Sequence, residues 1–329
     1  MDYEIYGEGI GRLKECVIRP AQQLLDIFKY YGYPLVVFPE VLEFEKIKEY
    51  GSDPDIDQVG LQLQQILNTG NEIGLHLHSW WANANFTCGK WQLDFSLANL
   101  CSLPGYKIRE IIGKGLDILR RLLGDSQYQP IVFRNGFWIM QPTRVIVEIL
   151  NEFNLKIDST LFRGGRIRKY NVDYRPSVSN GYYWKILDDV NKHQDDGLLF
   201  EVPIYTELVP FWKMISRFNK RKSMNNDKEV PSERLLKIIG LRAIFGDYFR
   251  MKYPRKLDYC FLSLEEILTS LNKLIMLDER TNKDYKPIVL VGHSKNLTDF
   301  EKVDRMLEFI RKRNLRIVTF NQILHRLCS

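Results

Sequence analysis

The chain lacks a cysteine framework. Its five cysteines, Cys16, Cys88, Cys101, Cys260 and Cys328, are scattered and odd in number, and no CxxC occurs. This argues against a disulfide scaffold and a thiolate zinc site, and it fits a reducing cytoplasm. No apolar run approaches the roughly 18 residues of a spanning helix. The opening residues, MDYEIYGEG, are acidic rather than apolar. No signal peptide is read there, and a cytoplasmic location is expected. A strong charge bias is also missing. The net charge is +6 over 329 residues, far from the basic footprint of a nucleic-acid binder. No internal repeat or low-complexity tract is present. What remains is an ordinary globular composition, 45% hydrophobic and 27% charged, long enough for a large core.

Strand and helix patterns alternate along the chain. Leu24, Leu25, Ile27, Phe28 and Tyr31 recur at helical spacing between Pro20 and Gly32. Tyr33–Phe38 reads as a buried strand and Val59–Leu67 as a helix. Tyr106–Leu123 and Pro142–Phe153 are further helices, with strands at Ile131–Arg134 and Leu155–Asp158. Phe162–Asp196 reads as loop and Leu199–Ile204 as strand. Ser263-Leu264-Glu265-Glu266 has the capping-box form and opens a helix to about Leu277. Pro287–Gly292 is a buried strand, Thr298-Asp299 caps another helix, and Arg316–Phe320 is the last strand. This is the signature of parallel βα units and an α/β fold of about seven strands, either an open sheet or an irregular barrel.

The most informative stretch is Asn71–Trp81, NEIGLHLHSWW. It runs apolar from Ile73 to Leu77 and ends on His76 and His78. Residues two apart in a strand share a face, so both imidazoles project into one cavity. Such a pair suits a divalent metal. Asp2 and Glu4 share parity in the same way. In parallel α/β folds, sites gather at the carboxyl ends of strands. Four polar clusters fall there: Asp2/Glu4, His76/His78, Arg134-Asn135 and His293-Ser294-Lys295. The inventory suits metal-assisted hydrolysis. A metal polarises a carbonyl and acidifies a bound water, a carboxylate takes its proton, a histidine opposite protonates the leaving amine, and the arginine holds the base charged.

At these residues the sequence resembles the polysaccharide deacetylases, carbohydrate esterase family four, in a divergent branch. Asp2-Tyr3-Glu4 is similar to the family's first motif. Gly70-Asn71-Glu72-Ile73-Gly74-Leu75-His76 is similar to the second. Phe133-Arg134-Asn135-Gly136-Phe137-Trp138 is similar to the third, and Gly292-His293-Ser294-Lys295 to the last. Between them, Lys156–Thr160 and Phe200–Ile204 look like segments found among surface-polysaccharide proteins. The likeness spans Asp2 to about Ile323.

The resemblance implies a distorted (β/α) barrel of about seven parallel strands. It also implies removal of an acetyl group from an N-acetylated sugar of a surface polysaccharide or its precursor, with a divalent metal, usually zinc. It makes Asp2 the catalytic base or a metal-site carboxylate, His76 a metal ligand, Arg134 the tether of the base and His293 the general acid. Position 80, four residues after His76, holds Trp80 where the family has its second metal histidine; His78 stands in by parity, and Glu4 for the second carboxylate. The whole chain reads as one domain, 1–329, with an insertion at about 162–260. Only Met1 precedes Asp2, too little for a full first strand unless the true start lies upstream. That strand is therefore expected to be truncated, with Asp2 on a frayed end.

Trp138 and Trp80 are candidates to line the cleft and stack on sugar rings. Asp158 and Glu201 read first as structural carboxylates. Pro210–Arg250 reads as a helical insertion. Its run Phe211–Lys222 offers aromatics and bases for a peripheral contact with a membrane carrying a lipid-linked glycan. The rival to an enzyme is a catalytically impaired relative that binds glycans. Hydrolysis of a non-sugar amide is a third reading.

Overall fold

The computed structural model describes residues 1–178, 182–210, 252–280 and 285–328. The expected helical insertion and the run Phe211–Lys222 therefore lie outside the described residues. Among the described residues, no helix is long and apolar enough to cross a membrane.

Parallel strands form the centre. Strands β1 (Asp2–Tyr3), β2 (Val36–Pro39) and β3 (Glu72–Ile73) make one parallel sheet. Next in the chain are β4 (Leu75–Leu77), β5 (Val132–Asn135), β6 (Ile157–Asp158), β7 (Trp184–Ile186) and β8 (Leu199–Glu201). They make a second sheet, in the order β7-β8-β6-β5-β4, parallel except for the β7–β8 pair. The histidine stretch thus serves two sheets, and it changes partner at Gly74. A side chain there would meet the Phe38 ring at 2.5 Å and Val132 at 2.8 Å, so the close approach requires glycine.

The ladders do not close into a continuous barrel. Single parallel bridges span the gaps: Glu40 with His76, Ile204 with Val289, and Asp2 with His293. The result is a barrel-like α/β fold whose strand ends meet on one face. Pro287–Gly292, expected as a full strand, is held by such bridges and not by a ladder.

Helices pack outside as their spacing predicts. In α1 (Arg19–Tyr31), Leu24, Leu25 and Phe28 are buried, and Gly32 ends the helix at φ 70°. The next helices are α2 (Val41–Tyr50), α3 (Ile56–Asn68), α4 (Gly105–Leu123) and α5 (Arg144–Glu152). In α4, Ile108, Ile111, Ile112, Leu116, Leu119 and Leu123 all face the core. Each such side chain contributes about 1.5–3 kcal/mol when fully buried. The Ser263/Glu266 capping box forms reciprocally at 3.0 and 3.2 Å and opens α6 (Leu264–Arg280). Asp299 caps α7 (Phe300–Lys312).

Three expectations are corrected. The α2 helix has no counterpart in the sequence reading. Its sequence VLEFEKIKEY has a mixed pattern, and it forms because Glu40 caps it, accepting from Leu42 N at 3.0 Å and Glu43 N at 3.4 Å. Arg316–Phe320 is not a strand. Thr319 and Gln322 form a second capping box, at 2.9 and 3.2 Å, and start α8 (Phe320–Cys328) instead. This helix lays Phe320, Ile323 and Leu327 against Phe38, Val132, Ile157 and Val202.

The third correction concerns β1, which is not frayed. Asp2 N donates to Gly292 O at 2.8 Å on one side, and Phe38 N donates to Met1 O at 2.9 Å on the other. The Met1 amine donates to Val36 O at 2.7 Å. Two residues suffice because both neighbouring strands bond them.

Candidate active site

The carboxyl ends of the strands frame a cavity of about 1020 Å³, lined by Asp2, Glu4, His76, His78, Trp138 and His293 among others. Asp2 is 1% exposed, and its Oδ1 lies 2.5 Å from Arg134 Nη1. Arg134 extends from the end of β5. Its Nε donates to Ser159 O at 3.0 Å, and its guanidinium lies 4.0 Å from the centre of the Phe38 ring. Burial opposes the charged form of Asp2. The Arg134 guanidinium, then His293 and His76, outweigh it and hold the carboxyl far below the usual range. On the other side, Asp2 Oδ2 is 3.4 Å from His293 Nε2.

Glu4 gathers the second half of the site. Its Oε2 lies 3.1 Å from His78 Nε2 and 3.5 Å from His76 Nε2. Its Oε1 takes a 2.7 Å bond from Lys295 Nζ, which also reaches Ile5 O at 3.0 Å. Burial opposes ionisation of Glu4, but Lys295 and the two histidines hold it well below the usual range. The two imidazole rings are 4.8 Å apart, as strand parity requires. Their surroundings push them in opposite directions. Burial alone would lower His76, but Glu4 and the charge of Asp2 raise it to about 9. Burial lowers His78 to about 4, with only partial opposition from Glu4. Burial likewise lowers His293 to about 3, and Lys295 and Lys256 add to the effect.

These residues fit a divalent metal. His76 Nε2 is buried and makes no hydrogen bond. Its Nδ1 is committed to Arg134 O at 2.8 Å, the arrangement that orients a ligating imidazole. The ligand atoms of Glu4, His76 and His78 lie within 4.8 Å of one another, and so do those of Asp2, Glu4 and His293. Two imidazoles with one carboxylate is a donor set suited to zinc.

The two tryptophans part company. Trp138 borders the cavity, edge-on to His293 with ring centres 5.9 Å apart. Trp80 is 1% exposed, and its ring is covered by His78 at 4.2 Å and Phe137 at 4.1 Å. It lines the same cavity against His78 and is almost wholly covered, whereas Trp138 is half-buried. Asp158 and Glu201 are fully buried register partners on β6 and β8, behind Arg134. Burial raises both.

Sequence reasoning gave no role to Lys295, Glu40 or Lys256. Glu40 directly follows β2, the position that drew attention to the other clusters. Its carboxylate accepts the backbone N–H of His78. Burial pushes it up to about 8, against the pull of His76. Lys295 stood inside the fourth cluster, but nothing local tied it to Glu4.

No protein-family model and no curated protein matches the chain. Solved structures do. One is a candidate polysaccharide deacetylase from Mycobacterium smegmatis, 14% identical, with a TM-score of 0.49 over 93% of this chain and 76% of that one. Another is an allantoinase, 11% identical, with a TM-score of 0.48 over 92% and 70%. A third is a pseudoenzyme of carbohydrate esterase family four from Bacillus anthracis, 10% identical, with a TM-score of 0.43 over 98% and 63%. The family that the motifs resemble is thus also the one named among these solved structures. At these identities and scores the likeness carries nothing about activity.

Proposed function

We propose that the chain is a metal-dependent hydrolase that removes an acetyl group from an N-acetylated sugar of a surface polysaccharide or its precursor. We read it as one domain, a distorted (β/α) barrel of about seven strands with an insertion at about 162–260. One observation carries the reading: an arginine-tethered carboxylate, two imidazoles on a second carboxylate, and a third imidazole opposite share one cavity.

His76, His78 and Glu4 would hold the ion. When bound, a divalent ion polarises the acetyl carbonyl and acidifies a water. The chain's own residues do the rest. Arg134 keeps Asp2 ionised and fixes its orientation, so Asp2 accepts the proton of the attacking water. His293, 3.4 Å from Asp2 and lowered to about 3 in the resting site, would pass the proton that Asp2 takes from the water on to the amine as the C–N bond breaks. Acetate and the free amino sugar leave. Trp138 borders the cavity where a sugar ring would lie.

A second reading is favoured by one contact. Lys295 already neutralises Glu4, and Trp80 occupies the position of the family's second histidine. A glycan-binding protein without turnover would look the same. Elemental mass spectrometry on the purified protein separates the two, beside His76→Ala and His78→Ala and an assay for released acetate. Roughly one zinc per chain, lost in both variants together with acetate release, is the expected result. No metal even in excess zinc, with saturable glycan binding, would put the second reading first.

A further inference from the structure

A second cavity, of about 830 Å³, lies between α6, α7, α8 and the Pro287–Gly292 stretch. Among the described residues, none lines both this cavity and the candidate site. Its volume is within the range of small-molecule sites, about 300–1,000 Å³. The run PIVLVG is apolar enough for burial on both faces. Yet Ile288, Val289 and Leu290 are each only half-buried. Ile275 on α6 and Ile317, between α7 and α8, are half-buried too, and Val318 is 40% exposed. All of these side chains line the cavity, which is why segments of core composition stay partly uncovered.

Burial marks the deep end. There Arg134 is 1% exposed and Tyr259 5%. Arg134 is committed to Asp2 and Ser159. Tyr259 is not committed: its hydroxyl is buried and has no hydrogen-bond partner among the described residues. Its ring is held over Gly292, where a Cβ would meet Cζ at 2.2 Å. A buried hydroxyl left unpaired is costly and calls for an explanation. The rim differs from the depth. Asp278 and Glu279 stand there with Lys286, Arg316 and Arg326, so charges of both signs are present and neither is selected. Thr319 and Gln322, also on the wall, are spent in their capping box. Apolar cavities exclude water and take up apolar ligands. Recognition here therefore falls to a hydrocarbon surface and one phenolic hydroxyl.

We propose that this cavity binds a single hydrocarbon chain ending in an oxygen function, a long-chain alcohol or a fatty acid. The oxygen pairs with the Tyr259 hydroxyl, and the tail runs along Ile288, Leu290 and Ile317 toward the exposed Val318. The site is independent of the hydrolase reading. Binding to the full chain is measured by titration calorimetry with the straight-chain alcohols from hexanol to decanol, and with decanoate. Saturable binding is expected, with affinity rising about fourfold for each added CH₂. Tighter binding of decanol identifies an alcohol, and of decanoate a fatty acid.

Ile275→Trp and Ile317→Trp fill the cavity from two different walls. Each is expected to weaken the tighter ligand at least about tenfold, and thermal melting checks that each variant folds. Tyr259→Phe is expected to weaken it about fivefold without lowering the melting temperature of the ligand-free protein, because the hydroxyl has no partner to lose. A merely structural hydroxyl would move the melting temperature and not the affinity. Absence of saturable binding, an affinity flat with chain length, binding undiminished in both tryptophan variants, or an affinity unchanged by Tyr259→Phe overturns the proposal.

Discussion

His76 and Arg134 face each other across the β4–β5 pair, and the carbonyl oxygen of Arg134 lies 2.8 Å from His76 Nδ1. One residue therefore supports both halves of the site. Its backbone orients the candidate metal histidine, and its guanidinium holds the candidate base. This coupling follows from register alone, since parallel strands put residues of equal depth side by side.

Arg134→Met should damage the fold as well as the chemistry. Asp2 would stay buried and charged with its principal partner gone. Loss of one member of a buried pair costs about 3–5 kcal/mol. Arg134→Lys should rescue little, because one ammonium cannot reach Asp2 Oδ1 and Ser159 O together as the guanidinium does. Urea denaturation of both variants checks this. A methionine variant within 1 kcal/mol or so of wild type would mean that Asp2 takes up a proton and needs no partner.

Gly136→Ala isolates His78. A Cβ at position 136 would lie 2.7 Å from His78 Nδ1 and 2.8 Å from the carbonyl oxygen of Leu77. The histidine ring must shift, and it is the ring that Trp80 and Phe137 brace. Metal affinity should fall about 10–100-fold, the usual effect of disturbing a ligand's support. His76 should keep its bond to Arg134. Competition against a chelator reads the change, and unaltered affinity would show that His78 is not a ligand.

Glu72 gives a pH dependence away from the site. It is 8% exposed on β3, and its Oε2 accepts from Asn321 N at 3.2 Å. Burial raises its carboxyl from 4.5 to about 7, only partly offset by backbone N–H groups of Asn321 and Phe320. The folded value lies above the unfolded one, so the folded state binds the proton more tightly. That stabilisation is complete below pH 4.5 and is lost as pH rises through 7. The slope is at most about 1.4 kcal/mol per pH unit. Glu72→Gln should flatten thermal stability across this window and raise it at pH 8. A parallel curve for the variant would place the pH dependence elsewhere.

Much of the site was legible because it obeys parity. His76 and His78 converge on Glu4, as two residues of one strand face must, and Asp2 and Glu4 line one cavity for the same reason. The helices with clean 3.6 periodicity, α1 and α4, lie within a residue of their expected bounds. What failed was non-local. The clamp on β1 comes from Gly292, which accepts from Asp2 N, and Phe38, which donates to Met1 O, and no window around Asp2 contains either. Lys256 stands beside Trp138 and Phe162, both distant in sequence. Arg316–Phe320 alternates like a strand, but the Thr319/Gln322 capping box turns its end into a helix. That signature was present in the sequence and outweighs a five-residue alternation.

Lys295 sets the balance between a metal site and an ion pair. Its side chain is 11% exposed, and that of Glu4 is 4% exposed. Glu4 therefore depends on a cation, and without a metal Lys295 is the nearest one. Lys295→Met should destabilise the metal-free protein by about 3–5 kcal/mol, since it leaves Glu4 buried with no cation except the histidines. A divalent ion would restore that charge. Zinc should consequently raise the melting temperature of the variant by more than that of wild type, because binding to the folded state alone stabilises it. Differential scanning calorimetry with and without zinc separates the possibilities. An equal gain in both proteins would mean that Lys295 and the metal do not compete for Glu4. No gain in either would mean that His76, His78 and Glu4 hold no ion and that Lys295 is Glu4's permanent partner.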